Sequence, residues 1–154
     1  MHTRFVDGIM LRPLCNGDTA TVAALFARLG DESRRRRFGG PKPRLSAAEL
    51  VALARVDATH HVVVAFAEGD PAPAGLGRLV RDGAVAEVAF AVADEHQGRG
   101  IGRILHDDLA GLARAAGVRE LRALVCGHNP PAVALMRAPA ARWSGGELEL
   151  VEVL

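Results

Sequence analysis

Small and large apolar side chains alternate from Ala84 to Val92, with β-branched Val85, Val88 and Val92 among them and turn residues Asp82-Gly83 and Asp94-Glu95 at either end. That pattern predicts a buried strand. Downstream, Ile101, Ile104, Leu105, Leu109, Leu112, Ala113 and Ala116 recur at spacings of three and four, which predicts an amphipathic helix closed by Gly117 just past its end. Between the two lies Gln97-Gly98-Arg99-Gly100-Ile101-Gly102, rich in glycine. Strand, turn and helix in that order are where chemistry is expected.

The rest of the chain is patterned around this unit. Ile9 to Arg12 reads as a short first strand stopped by Pro13, and Asp18 caps a helix whose apolar face is Val22, Leu25, Phe26 and Leu29, ending at Gly30. Residues 31–45 carry Arg34-Arg35-Arg36-Arg37 and Gly39-Gly40-Pro41-Lys42-Pro43, the composition of an irregular or partly helical connection. Ser46 and Glu49 form a capping box inside the staple of Leu45 and Leu50, so a further helix runs to about Arg55. His61 to Ala67 and Gly75 to Arg81 read as strands, and Asp82-Gly83 as a tight hairpin into the strand of Glu87, giving three antiparallel strands in succession.

The helix of residues 100–116 then returns the chain, so strand-like Glu120 to Cys126 runs parallel to the Glu87 strand. A ligand at the carboxyl end of that strand, facing the helix N-terminus, follows from such a topology. Pro131 to Arg137 reads as a short helix and Glu147 to Leu154 as a closing strand. No repeat or linker divides the chain, and 154 residues fit one domain over 1–154 that buries about 70% of its unfolded surface.

Composition narrows the function classes. With 49% hydrophobic residues the chain is globular, and a formal charge of +1 gives no global attraction to nucleic acid or a membrane surface. No run reaches the ~18 apolar residues of a spanning helix and the first residues lack a signal-peptide core, so the cytoplasm is the expected compartment. Cys15 and Cys126 lack metal or redox spacing, and His60-His61 has no second ligand cluster, so no metal is expected.

Two features carry candidate chemistry. Glu87 is flanked by Ala86 and Val88, so it either faces a polar cleft or has its pKa raised from about 4.3, and both suit a general base. The glycines at 98, 100 and 102 let the backbone approach a bulky anion at a helix N-terminus, where unpaired amides and the helix dipole favour phosphate. Their spacing is neither G-x-G-x-x-G nor a P-loop.

With strand before and helix after, Gln97-Gly98-Arg99-Gly100-Ile101-Gly102 resembles the pyrophosphate-binding pattern (Gln/Arg)-x-x-Gly-x-(Gly/Ala) of the GNAT superfamily of acyl-CoA-dependent N-acyltransferases. Ala86-Glu87-Val88-Ala89-Phe90, Met10-Leu11-Arg12-Pro13-Leu14, the segment from Asp31 to Phe38 and Leu45-Ser46 are similar to its protein lysine acetyltransferase branch, the Pat type, and the likeness runs to about Leu135. The resemblance implies an α/β GNAT fold, a mixed, mostly antiparallel sheet flanked by helices with a parallel strand pair splayed around the acyl-CoA cleft. It implies acetyl-CoA as acyl donor and a protein lysine or a small-molecule amine as acceptor; a catalytically inactive acyl-CoA-binding regulatory module is the alternative from another class.

For the residues, the resemblance implies Glu87 as general base, a backbone amide among Phe90, Ala91 and Val92 on the thioester oxygen, and the backbone from Gln97 through Gly98, Arg99, Gly100 and Ile101 to Gly102 on the pyrophosphate, with Arg99 or Arg103 adding charge. It places Asn129 on the pantetheine arm; a turn-forming Asn before Pro-Pro is the alternative. Seven residues further, many members carry a tyrosine that protonates the departing thiolate; here Met136 stands there and the chain has no tyrosine. The thiolate then leaves unaided or through water, or Cys126, His128 or Ser144 substitutes. Pro139 interrupts the last helix of the family, and Arg34 to Arg37 is either a solvated helix face or a docking patch for an acidic protein surface.

Overall fold

The computed structural model describes residues 2–126, 129–137, 139–145 and 147–154. The chain runs β1 (Arg4–Val6), β2 (Ile9–Pro13), α1 (Thr19–Ala27), α2 (Asp31–Phe38), α3 (Ala47–Leu53), β3 (His60–Ala67), β4 (Gly75–Asp82), β5 (Val85–Val92), α4 (Ile101–Ala115), β6 (Glu120–Cys126), α5 (Pro130–Leu135), β7 (Ala140–Ser144) and β8 (Glu147–Val153). All eight strands form one sheet in the order β1-β2-β3-β4-β5-β6-β8-β7. Every neighbouring pair is antiparallel except β5 and β6. The α/β fold with one parallel pair is as the sequence predicts.

Local signals explain the elements. The Asp18 carboxylate accepts from the Thr21 amide at 3.1 Å and opens α1. Ser46 and Glu49 exchange both bonds of the capping box at the start of α3. Gly117 takes φ +84°, its amide bonding the Arg114 carbonyl at 3.1 Å while that of Val118 bonds Ala113 at 2.9 Å, the double closure of a Schellman motif on α4. Two strands lie outside the expected set. β1 is joined to β2 by Asp7 and Gly8 at φ 50° and 79°, a two-residue turn with both central residues left-handed. β7 lies on the outer edge beyond β8.

The core has two layers, one on each face of the sheet. On one side Ile101, Leu105, Leu109 and Ala113 of α4 pack on Val63, Leu79, Val88, Leu121 and Leu150. On the other, Val22 and Leu25 of α1 and Ala54 after α3 pack on Val62, Val64, Phe66 and Leu76. β3 is therefore buried on both faces, which is why its sequence is an unbroken apolar run rather than an alternation.

Candidate active site

The site begins where the sheet divides. β5 and β6 pair only at Val85↔Glu120, Ala86↔Leu121 and Glu87↔Arg122. Beyond that rung β5 stays with β4 as far as Val92, and β6 stays with β8 as far as Cys126. The fork opens a cleft of about 440 Å³ walled by Val88 to Val92, Ala123 to Val125, the glycine turn and α5. Glu87 stands on the last paired rung.

Backbone direction in the fork follows from the ladder. The Ala93 amide bonds the Ala74 carbonyl at 2.8 Å across β4, while the Ala84 carbonyl accepts from the Arg119 amide at 2.7 Å on the β6 side. Because hydrogen-bonded and open positions alternate in an antiparallel pair, Val88, Phe90 and Val92 turn their N–H and C=O groups into the fork. Ala91 turns its own toward β4 and contributes only its methyl group to the cleft wall.

The anion turn is built as its glycines suggest. Gly98 and Gly100 hold φ +77° and +83°, with no atom within 4 Å of where a Cβ would sit. Gly102 differs from both, since a Cβ there would meet Leu135 at 3.6 Å and Val92 at 3.9 Å, ordinary contact distances that do not by themselves require glycine. No side chain caps α4, so its first amides stay open. The Gln97 amide nitrogen donates to the Val92 carbonyl at 3.0 Å and to the Ser33 hydroxyl at 2.9 Å, pinning the turn to β5 and α2.

A relay that the sequence does not announce holds the turn from behind. A guanidinium only donates, so Arg99 at 3.3 Å makes Nδ1 of buried His96 the acceptor, and Nε2–H donates to Asp70 at 3.2 Å. Arg28 pairs with the same carboxylate at 2.9 Å. The Ala72 amide, His96 and Arg28 together hold the Asp70 carboxyl below its ordinary pKa. Arg103 is differently committed, donating to the Ala134 carbonyl at 2.8 Å and so tying α5 to α4. Its Nη1 is buried without a hydrogen-bond partner among the described residues.

The remaining candidates divide. Asn129 lines the cleft and also caps α5, its Oδ1 accepting from the Ala132 amide at 3.3 Å. Met136 is buried in the cleft wall and its thioether has no proton to give. His128 and the side chains of Cys126 and Ser144 lie outside the described residues. Glu87 is exposed, which corrects the expectation that its strand desolvates it. Ala86 and Val88, its sequence neighbours, point to the α4 face and enter the core there.

Arg34 to Arg37 do not form one face. Arg34 folds back over the Phe26 ring, 4.0 Å from its centroid, and donates to the Phe26 carbonyl at 3.1 Å. Arg35 is exposed, whereas Arg36 and Arg37 line the cleft. No group of three or more His, Cys, Asp or Glu among the described residues is arranged to hold a metal ion.

A sheet split around a cleft, with a carboxylate at the fork and an uncapped glycine turn opening a helix at its mouth, is the architecture of an acyltransferase. Residues 28–138 match the acetyltransferase (GNAT) family. Acetyltransferase Pat of Mycolicibacterium smegmatis is 34% identical over 155 residues, 98% of this chain and 46% of that protein, so the chain spans about half the length of this relative. The GNAT domain of S. lividans PAT superposes with a TM-score of 0.85 at 28% identity, covering 95% of this chain and 90% of that one. A Sinorhizobium meliloti phosphinothricin acetyltransferase in complex with AcCoA shares the fold, with a TM-score of 0.71 at 20% identity over 96% of this chain and 89% of that one. The chain belongs to the acetyltransferase (GNAT) family.

Proposed function

We propose that this protein acetylates a lysine side chain of another protein by direct transfer from acetyl-CoA, as a single acetyltransferase domain over residues 1–154 working in the cytoplasm. The observation that carries the reading is the place of Glu87: an exposed carboxylate on the last rung before the fork, next in the chain to Val88, which lines the cleft. Likeness to the Pat-type branch supports lysine as the acceptor. No helix among the described residues is long and apolar enough to cross a membrane.

The fit of the donor rests on this chain's own groups. Open amides at the start of α4 and the glycine turn suit a pyrophosphate. The unpartnered Nη1 of Arg103 lies buried in the first turn of that helix, and Asn129 and Met136 line the cleft. Acetyl-CoA, when bound, supplies an activated acetyl group as a thioester.

At pH 7 about one lysine amine in 10³ is neutral, a barrier of roughly 4 kcal/mol if nothing removes the proton. Glu87 takes that proton, directly or through a water that its exposure admits, and passes it to solvent. The freed nitrogen forms its bond to the carbonyl carbon, gives up its second proton to the carboxylate or to water, and the carbon–sulfur bond breaks, with the electron pair leaving on sulfur. Phe90 or Val92 donates its amide hydrogen to the carbonyl oxygen as that atom becomes negative. A thiolate with a pKa near 8.5 leaves without a dedicated acid.

The test is incubation of a dialysed bacterial extract with isotope-labelled acetyl-CoA and either the native protein or Glu87→Gln, reading labelled lysines by mass spectrometry and thiol release alongside. Native protein should label a few lysines, and Glu87→Gln should lower turnover about 10²-fold or more with acetyl-CoA affinity nearly intact. Equal turnover removes Glu87 from the reaction. Thiol release on small amines with no labelled lysine replaces the protein acceptor with a metabolite.

A further inference from the structure

α4 packs behind both arms of the fork, and two of its residues mark where they meet it. At Gly102 an added Cβ would meet Val92 of β5 on one side and Leu135 of α5 on the other. One turn later His106 has β5 and β8 as neighbours: its ring lies 6.0 Å from that of Phe90, centroid to centroid, and its Nε2 lies 2.7 Å from Glu152 Oε2. Both His106 and Glu152 are buried, and Leu148 and Leu150, in the same strand as Glu152, belong to the apolar core.

The pair holds each arm. Glu152 Oε2 also accepts from the Arg137 amide at 3.0 Å, Arg137 Nη2 reaches the two Asp107 oxygens at 3.0 and 3.2 Å, and Asp107 Oδ1 lies 3.0 Å from His106 Nδ1, closing a ring of four residues. Met136, joined to Arg137, is buried in the cleft wall. On the other arm Phe90 lines the cleft too, and it lies against Gly77, where a Cβ would meet its ring at 3.3 Å. The Phe90 ring is thus backed by β4 and by the imidazole.

An apolar pair of similar volume would fill this space without the cost of taking a carboxylate out of water. What His106 and Glu152 add is direction, because their hydrogen bonds fix the imidazole behind Phe90 and the backbone beside Met136 at once.

We propose that His106 and Glu152 are positioning residues that hold Phe90 and Met136 at a fixed separation across the fork, and that this separation limits the cleft to short acyl chains. An acyl group whose thioester oxygen meets the Phe90 or Val92 amide lies beside the Phe90 ring and has no space behind it to enter. This rests on the cleft as the acyl-CoA site, and on neither Glu87 as base nor lysine as acceptor.

Calorimetric titration with CoA, acetyl-CoA and butyryl-CoA tests it without an acceptor. The measure is the affinity for butyryl-CoA relative to acetyl-CoA, since a loss of folded protein affects both titrations alike and leaves their ratio unmoved. In the native protein butyryl-CoA should bind no more tightly than acetyl-CoA. His106→Ala vacates the space behind Phe90, and the ratio should rise about tenfold, the worth of two buried methylene groups. His106→Asn shortens the side chain while keeping a donor for Glu152, so it should move the ratio the same way even if His106→Ala does not fold. Glu152→Ala frees both the imidazole and the Arg137 amide and should raise the ratio, whereas Glu152→Gln keeps the shape and the acceptor oxygen and should hold it near the native value.

A ratio unmoved in the His106 variants, or a native protein that already prefers butyryl-CoA tenfold, overturns the inference while leaving the acyl-CoA cleft in place. A native protein that binds neither CoA nor its thioesters sinks the cleft reading and this selectivity with it.

Discussion

Gly100 and Gly117 bracket α4 and hold nearly the same left-handed backbone, φ +83° and +84°, with no atom within 4 Å of an added Cβ at either. Alanine at either position therefore meets no overlap, and its cost is that of an L residue in the left-handed region, roughly 1 to 2 kcal/mol. Equal losses of stability are expected. What differs is the surroundings: Gly117 only closes the helix behind the sheet, while Gly100 opens it at the mouth of the cleft with its following amides uncapped.

If the turn holds pyrophosphate by close backbone approach, Gly100→Ala also displaces a charge-assisted hydrogen bond worth about 1.5 to 3 kcal/mol, a factor of roughly 10 to 100 in affinity. Urea unfolding gives the stability of both variants, and calorimetric titration with acetyl-CoA, under conditions where both are folded, gives the affinity. Gly100→Ala should weaken binding at least tenfold, and Gly117→Ala should leave it unchanged. Parallel affinities in the two variants would refute the pyrophosphate assignment, because backbone strain alone would then account for both.

Two further predictions concern stability. His106 Nε2 lies 2.7 Å from Glu152 Oε2, both side chains are buried, and the same oxygen accepts from the Arg137 amide at 3.0 Å. Glu152→Leu should cost about 3 to 5 kcal/mol in urea unfolding, and adding His106→Leu should cost less than the sum of the single changes; strict additivity would deny the coupling. Burial and Arg81 hold His61 below its ordinary pKa. The unfolded chain then binds that proton more tightly, so stability should be full above about pH 6.5 and fall as pH drops through that value. A second fall near pH 4 follows as Asp18 and Asp70, whose pKa values the fold depresses, take up protons. His61→Gln should erase only the upper step in urea midpoints measured across this range.

Features decided by near neighbours in the chain were legible: the Asp18 and Ser46 caps, the Gly117 closure, the α4 stripe and the hairpin at Gly83. Asp7-Gly8 carries the same kind of turn signal, yet β1 before it has three residues, all exposed, so no apolar pattern marks it as a strand. β7 is hidden for a related reason, since Ala140 to Trp143 point mostly to solvent and Pro139 precedes them. The His96–Asp70–Arg28 relay joins residues far apart in the chain, and no local spacing encodes it.

Glu87 shows the limit most clearly. Reading Ala86 and Val88 as its surroundings assigns it an apolar site, but side chains one residue apart in a strand point to opposite faces of the sheet. The neighbours that matter are Val80 and Arg122 across the rungs and Ala89 two residues on, with Arg78 opposite Ala89. Those partners are fixed by register, which the sequence sets only through the hairpin at Gly83 and the length of the α4 crossover. The same register sets Arg122 across from Glu87 and brings Arg78 within reach of its charge, so the electrostatics of the proposed acceptor side arise from strand pairing rather than from any run of residues.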